Sequence, residues 1–155
     1  MTKGEARELL RGIPLLKELK GFDFAVTMAE NKELLLAEQK PIDEGVKMTD
    51  KYAEYEEKRL EICKKYAKKD EKGKPVIDDA GIYDIEDHGP FNMAVAELQE
   101  SYIEEISYRE DQLKDFEAML KMPSDVEIKT VDKSSIKNID DITLEQGLVL
   151  SKFLA

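Results

Sequence analysis

The chain has 155 residues, with 35 acidic against 24 basic, a formal charge of −11, no tryptophan and a single cysteine, Cys63. One cysteine excludes an internal disulfide framework and fits a reducing compartment, the acidic balance argues against direct binding of nucleic acid or an anionic membrane, and the longest plain apolar run, Leu34 to Ala37, falls far short of the roughly 20 residues of a membrane span. Together with 41% hydrophobic and 38% charged residues, these features predict one mainly helical domain over residues 1–155, working in the cytoplasm without a signal peptide.

Thr2 followed by Glu5 reads as a capping box that opens an N-terminal helix within residues 1–21. Ala6, Leu9, Leu10 and Ile13 form its apolar face, Pro14 interrupts it, and Gly21 stops it. Residues 24–67 read as one long helix with a kink at Pro41, weakened further by Gly45. Beyond the kink, Ile42, Val46, Thr49, Ala53, Glu56, Leu60, Cys63 and Ala67 recur at alternating spacings of four and three, the pattern of a coiled-coil seam.

Residues 68–90 hold turn chemistry at Asp70-Glu71-Lys72-Gly73 and at Asp78-Asp79-Ala80-Gly81, with Pro75–Ile77 and Ile82–Ile85 flanking the second turn. They predict a small β-hairpin. Residues 91–120 form a second long helix whose seam is Phe91, Val95, Leu98, Tyr102, Ile106, Arg109, Leu113, Phe116 and Leu120, with a stutter around Tyr102. The two seams superpose in one antiparallel register, Ala67 on Phe91, Cys63 on Val95, Leu60 on Leu98, Glu56 on Tyr102 and Ile42 on Phe116. In residues 123–155, Val126–Val131 alternates like a strand, and Thr143 with Gln146 opens a last helix to Phe153. The expected fold is an antiparallel two-helix coiled-coil hairpin with a β-hairpin tip, on a base made by the N-terminal helix, a short strand and the C-terminal helix. That base should gather near Leu34, Leu35, Met119 and Leu120.

Charge is distributed unevenly. Between Lys74 and Arg109 there is no Lys or Arg for 34 residues, and Val76–Ala118 carries 13 acidic residues against 2 basic ones, which accounts for the whole net charge. Glu97, Glu100, Glu104, Asp111 and Asp115 fall on the outward side of the second helix, whereas Glu54 with Lys58 and Glu61 with Lys65 compensate each other on the first. Such a row is a candidate docking surface for a basic partner. A second candidate is the stripe Tyr52, Tyr55, Ile62 and Tyr66, which lies beside the seam, so that the second helix should leave part of it for the termini, another copy or a different protein.

Neither His88, in Glu86-Asp87-His88-Gly89-Pro90, nor the acidic loop Asp78–Asp87 has the spacing of a metal site, and Cys63 has no base placed to activate it. No cofactor or metal is expected. Glu54 with Glu57 and Glu97 with Glu100 have the three-residue spacing by which all-α nucleotide pyrophosphohydrolases hold magnesium, but the second Glu-x-x-Asp pair of that family is missing.

Ile13-Pro14-Leu15-Leu16-Lys17-Glu18-Leu19, a long helix ending Lys64-Lys65-Tyr66 before Asp70-Glu71-Lys72-Gly73-Lys74, and a second ending Phe116-Glu117-Ala118-Met119-Leu120 before Val126-Glu127-Ile128-Lys129 form a longer pattern. In these segments the chain resembles small acidic phage and prophage proteins of unknown function, found mainly with Gram-positive hosts. The resemblance implies phage origin and a place in the host cytoplasm, and brings no activity to carry over. The reading is a non-enzymatic protein-binding protein with an assembly or accessory role, able to form a homo-oligomer. The alternatives are an acidic inhibitor of a nucleic-acid-binding host defence protein and, third, a metal-dependent nucleotide hydrolase.

Overall fold

The computed structural model describes residues Met1–Ala155. Six helices make the chain mainly helical: α1 (Lys3–Gly12), α2 (Phe22–Gly45), α3 (Asp50–Tyr66), α4 (His88–Ser101), α5 (Ile103–Lys121) and α6 (Leu144–Leu150). There is no sheet, and the strand-like pairs are isolated bridges. The chain divides into two compact units: Met1–Val46 with Lys114–Ala155, and Lys47–Leu113. No helix is long and apolar enough to cross a membrane.

In the first unit both expected capping boxes are present. The Thr2 hydroxyl accepts from the Glu5 N–H at 3.1 Å while the Glu5 carboxylate accepts from the Thr2 N–H at 2.7 Å, and this backbone bond holds the Glu5 carboxyl below its usual pKa. Thr143 and Gln146 repeat the arrangement at the start of α6. α1 packs on α2 and α6, and Pro14 sits in a 3-10 turn, Ile13–Leu16, where its missing N–H costs nothing. The core gathers Ala6, Leu9, Leu16 and Leu19 with Phe24, Met28 and Leu35 of α2 and with Val131, Ile136, Leu150 and Phe153. Leu35 belongs to it as expected, but Leu34 and Met119 are exposed.

Pro41 does not end its helix. α2 runs through it to Gly45, because proline's fixed φ is helical and its loss is confined to one hydrogen bond and some crowding. The interruption comes at Val46–Thr49, where the Thr49 side chain accepts from the Tyr52 N–H at 3.2 Å and starts α3 anew. Val46 and Thr49 are therefore linker and cap, not seam positions.

Val126–Val131, expected as a strand, joins no ladder, although Lys129 and Val131 each turn both backbone groups to one side as in an extended chain. Its partner is a side chain: Asn31, fully buried on α2, donates from Nδ2 to the Lys129 carbonyl at 2.9 Å and accepts at Oδ1 from the Lys129 N–H at 2.8 Å. Further along, Val131 donates to the Phe153 carbonyl at 2.8 Å and accepts from the Ala155 N–H at 3.2 Å. Two turns further along α2, the Glu38 carboxylate accepts from Ser124 Oγ at 2.9 Å and the Asp125 N–H at 3.0 Å, and buried Gln39 donates to the Lys3 carbonyl at 3.0 Å. A polar stripe on α2 thus fastens what reads as a strand. Asn31→Leu keeps the branching and heavy-atom count but strips both bonds from Lys129, and should lower the unfolding free energy by about 1–3 kcal/mol. Denaturant unfolding with a wild-type midpoint would contradict this role for Asn31.

Candidate functional site

The second unit is built on α3 against α4 and the start of α5. Tyr66 meets Phe91 with ring centroids 6.3 Å apart, Tyr55 meets Tyr102 at 5.7 Å, and Lys51 pairs with Glu105 at 3.3 Å. Numbers fall on α3 as they rise on its partner, so the two run in opposite directions. On the partner side the inward residues follow the expected stripe from Phe91 through Val95, Leu98, Tyr102, Ile106 and Arg109, while Leu113 is exposed. At the stutter the helix breaks: α4 ends at Ser101, Tyr102 is non-helical, and α5 begins at Ile103.

On α3 the face turned inward differs from the expected seam. Ala53 and Leu60 point outward, and Tyr55 is buried at 5% exposure, with Tyr52, Arg59, Ile62 and Tyr66 half-buried beside Cys63 and Ala67. The stripe of Tyr52, Tyr55, Ile62 and Tyr66, expected to stay partly uncovered by the second helix, is thus the packed face of the pair. The physical reason is area: aromatic rings bury far more surface than Ala53 and Leu60, and Phe91 and Tyr102 stand opposite to receive them. Tyr52 and Tyr55 also contact each other at 5.5 Å, and the Arg109 guanidinium sits 5.9 Å from the Tyr52 ring centre.

Tyr102 closes this interface with a polar knot. Its hydroxyl donates to Glu54 Oε1 at 2.8 Å and accepts from Lys58 Nζ at 2.6 Å, and Lys58 reaches the same Glu54 oxygen at 2.6 Å. Glu56, placed opposite Tyr102 in the expected register and needing either that hydroxyl or water, is instead held by Arg59 through two bonds at 3.0 and 2.9 Å and keeps part of its carboxylate exposed. The knot lowers the Glu54 pKa, first through Lys58 and then through Tyr102, and raises that of Lys58, first through Glu54. Since the Glu54 value is depressed on folding, its contribution to stability is full above the ordinary carboxylate pKa and fades as pH falls through the lowered one. Tyr102→Phe should move the Glu54 midpoint back toward the ordinary value, read by NMR titration of its carboxyl. An unmoved midpoint would show that the hydroxyl does not bond there.

Beyond the helices the chain forms a small closed ring that the expected two-stranded tip only partly describes. The Ile77–Tyr83 bridge joins the two expected segments, and bridges at Ala67–Ile85 and Lys69–Pro75 bring in a third. Three backbone bonds close the circle: Lys68 N–H to the Asp84 carbonyl at 2.7 Å, Asp84 N–H to Val76 at 3.1 Å, and Val76 N–H to Lys68 at 2.8 Å. Positions 68, 76 and 84 are eight apart, and the corners repeat with the same period. Asp70 Oδ1 accepts from the N–H groups of Lys72 and Lys74, Asp78 Oδ1 from those of Ala80 and Ile82, and Gly73 and Gly81 follow at φ +75° and +81°. The third corner is where α3 enters and α4 leaves, joined by the Glu86 N–H to the Tyr66 carbonyl at 3.1 Å. The missed signal is legible in the chain as Asp-x-x-Gly repeated at an eight-residue interval, with Glu86 and Gly89 in the third copy. Gly81→Ala should loosen the ring by about 1 kcal/mol, since an L side chain resists the left-handed region. Faster amide exchange at Val76 and Asp84 checks it, and unchanged protection there would refute it.

Glu97, Glu100, Glu104 and Asp111 are exposed in this unit, while Asp115 belongs to the other. None of the carboxylates of Glu97, Glu100 and Glu104 makes an ion pair. Among them at helical spacing stand Met93 and Ile103, 67% and 65% exposed. Glu54 spends its carboxylate on Lys58 and Tyr102, and no group of three or more His, Cys, Asp or Glu side chains is placed to hold a metal ion. His88 is exposed at the first position of α4, and Asp87 caps that helix. No protein-family model, curated protein or solved structure matches the chain.

Proposed function

We propose that this is a non-enzymatic protein-binding protein of phage or prophage origin. It acts in the host cytoplasm in an assembly or accessory role, and its binding element is the pair α3 and α4–α5, an antiparallel coiled-coil hairpin capped by the three-segment ring. The observation that carries the reading is the outward face at Glu97, Glu100 and Glu104: exposed carboxylates without an ion pair, interleaved with exposed Met93 and Ile103. A partner of basic and apolar character fits that mixture, since opposite charge steers the encounter and desolvated apolar side chains hold the complex. The packed tyrosine stripe supplies rigidity to the element and is not its contact surface.

The same row favours one second reading, an acidic inhibitor that occupies the nucleic-acid-binding groove of a host defence protein. Both readings require salt-sensitive binding, because steering between exposed charges is screened over about 8–10 Å at physiological ionic strength. Replacing Glu97, Glu100 and Glu104 together by Gln should slow association with a partner recovered on the tagged chain by about tenfold or more at low salt. Thermal stability of the free protein should be no lower, since like-charge repulsion is removed. A partner whose affinity ignores both salt and these substitutions would remove the acidic face from the function. Competition by DNA or RNA for the same partner separates inhibitor from assembly factor.

A further inference from the structure

We infer that Val126–Thr130 is a docking edge for a second copy of this chain, which adds to it strand against strand in antiparallel orientation. In an extended chain a residue's N–H and C=O point to one side and those of its neighbours to the other. Lys129 sends both groups to Asn31, and Val131 sends both to the C-terminal tail at Phe153 and Ala155. Those residues define the inner edge. Ile128 and Thr130 therefore direct their backbone groups outward, and no group of the chain bonds to them. An edge of this kind is a template for pairing.

The chemistry of the segment selects its own copy as the occupant. The outward residues are Val126, Ile128 and Thr130, of which Val126 spends its N–H on Ser124 Oγ at 3.2 Å and would exchange that bond on pairing, so the pairing consistent with both edges centres on Ile128. That register sets Ile128 opposite Ile128, Val126 opposite Thr130, and Glu127 of each copy opposite Lys129 of the other. Two opposite-charge pairs thus form about the twofold axis, with no like charges facing. Glu127 and Lys129 are both exposed, and the Lys129–Glu30 pair at 3.2 Å lies between half-exposed side chains that can exchange partners at little cost. Next to the edge lies an open groove of about 870 Å³, lined by Leu9, Val126, Ile128, Leu148 and Val149 among others, with Leu148 64% exposed. Directly paired residues share a face of the ladder, so the second copy's Val126 and Ile128 arrive on the groove side and cover apolar surface.

The test is the self-association of the full chain by sedimentation equilibrium, with Glu127→Lys, Lys129→Glu and the double exchange. Each single variant sets like charges opposite each other twice and should weaken the dimer by about tenfold or more. An equimolar mixture of the two single variants should recover it as a heterodimer, and the double variant, Glu127→Lys with Lys129→Glu, should recover it alone. In the wild-type dimer the Ile128 and Thr130 amides should exchange more slowly as concentration rises. A wild-type chain that stays monomeric to about 1 mM overturns the inference. So does a dimer indifferent to these charges, or one that leaves both amides unprotected. Binding of an unrelated extended peptide along this edge by the monomer would likewise assign it to another occupant.

Discussion

Backbone N–H and C=O groups withdrawn from water need partners, and a helical protein that carries extended segments but no sheet has to find them without a ladder. Two different solutions are used here. Between α3 and α4 three short segments bond to one another in a circle through Lys68, Val76 and Asp84, so every segment has two neighbours and no open edge remains. In the other unit Asn31 stands in for a strand, because a side-chain amide offers one donor and one acceptor at the spacing of a peptide group. That substitution serves one edge of Val126–Thr130 only. The ring is self-sufficient, and the amide-held segment is not.

Burial of aromatic area governs the helical pair in the same way. A seam read from four-three spacing treats Ala53, Leu60 and Tyr55 as equivalent apolar marks, but a ring is worth several methyl groups in surface removed from water. α3 therefore rolls toward Tyr55 and Tyr66 and leaves Leu60 outside. The polar tips of the rings need satisfying once they pack, and at Tyr102 the Glu54–Lys58 pair does this from the opposite helix. The break in the helix falls at that same residue. A four-four step cannot keep a stripe on one face of a straight helix, and the chain resets at Tyr102 so that Phe91 and Ile106 both point inward.

Features set by residues close in sequence were legible from it. Both capping boxes, the helical class and the stripe from Phe91 to Arg109 follow from short-range chemistry or periodicity. What escaped depends on competing local signals or on a partner far along the chain. The loss at Pro41 looks larger in sequence than in a helix that continues past it, and the end at Val46 depends on Thr49 as a cap. The strand-like alternation of Val126–Val131 is real, but its partner is an asparagine about 100 residues earlier, which no pattern of alternation reveals. The ring was legible in principle, since Asp-x-x-Gly recurs every eight residues, yet two turns suggest a hairpin unless the third, incomplete copy is counted. For the candidate site the exposure of Glu97, Glu100 and Glu104 followed from helical spacing, whereas the tyrosine stripe changed from candidate contact to packed interior.

The carboxylates divide by what they touch. Glu5, Glu38, Glu54, Glu56, Asp70 and Asp78 are held by backbone donors or by cations and belong to the architecture. Those of Glu97, Glu100 and Glu104 touch no cation and bear on nothing in their own unit. An acidic residue that caps a turn lowers the energy of the fold, but like charges at helical spacing, as at Glu97 and Glu100 on α4, raise it through repulsion. Solubility alone does not require such a row here, because a net charge as large as −11 is already ample for a chain of this size. Under the proposed function a basic surface relieves that repulsion beside exposed Met93 and Ile103, so the feature that costs the free protein stability would favour the complex.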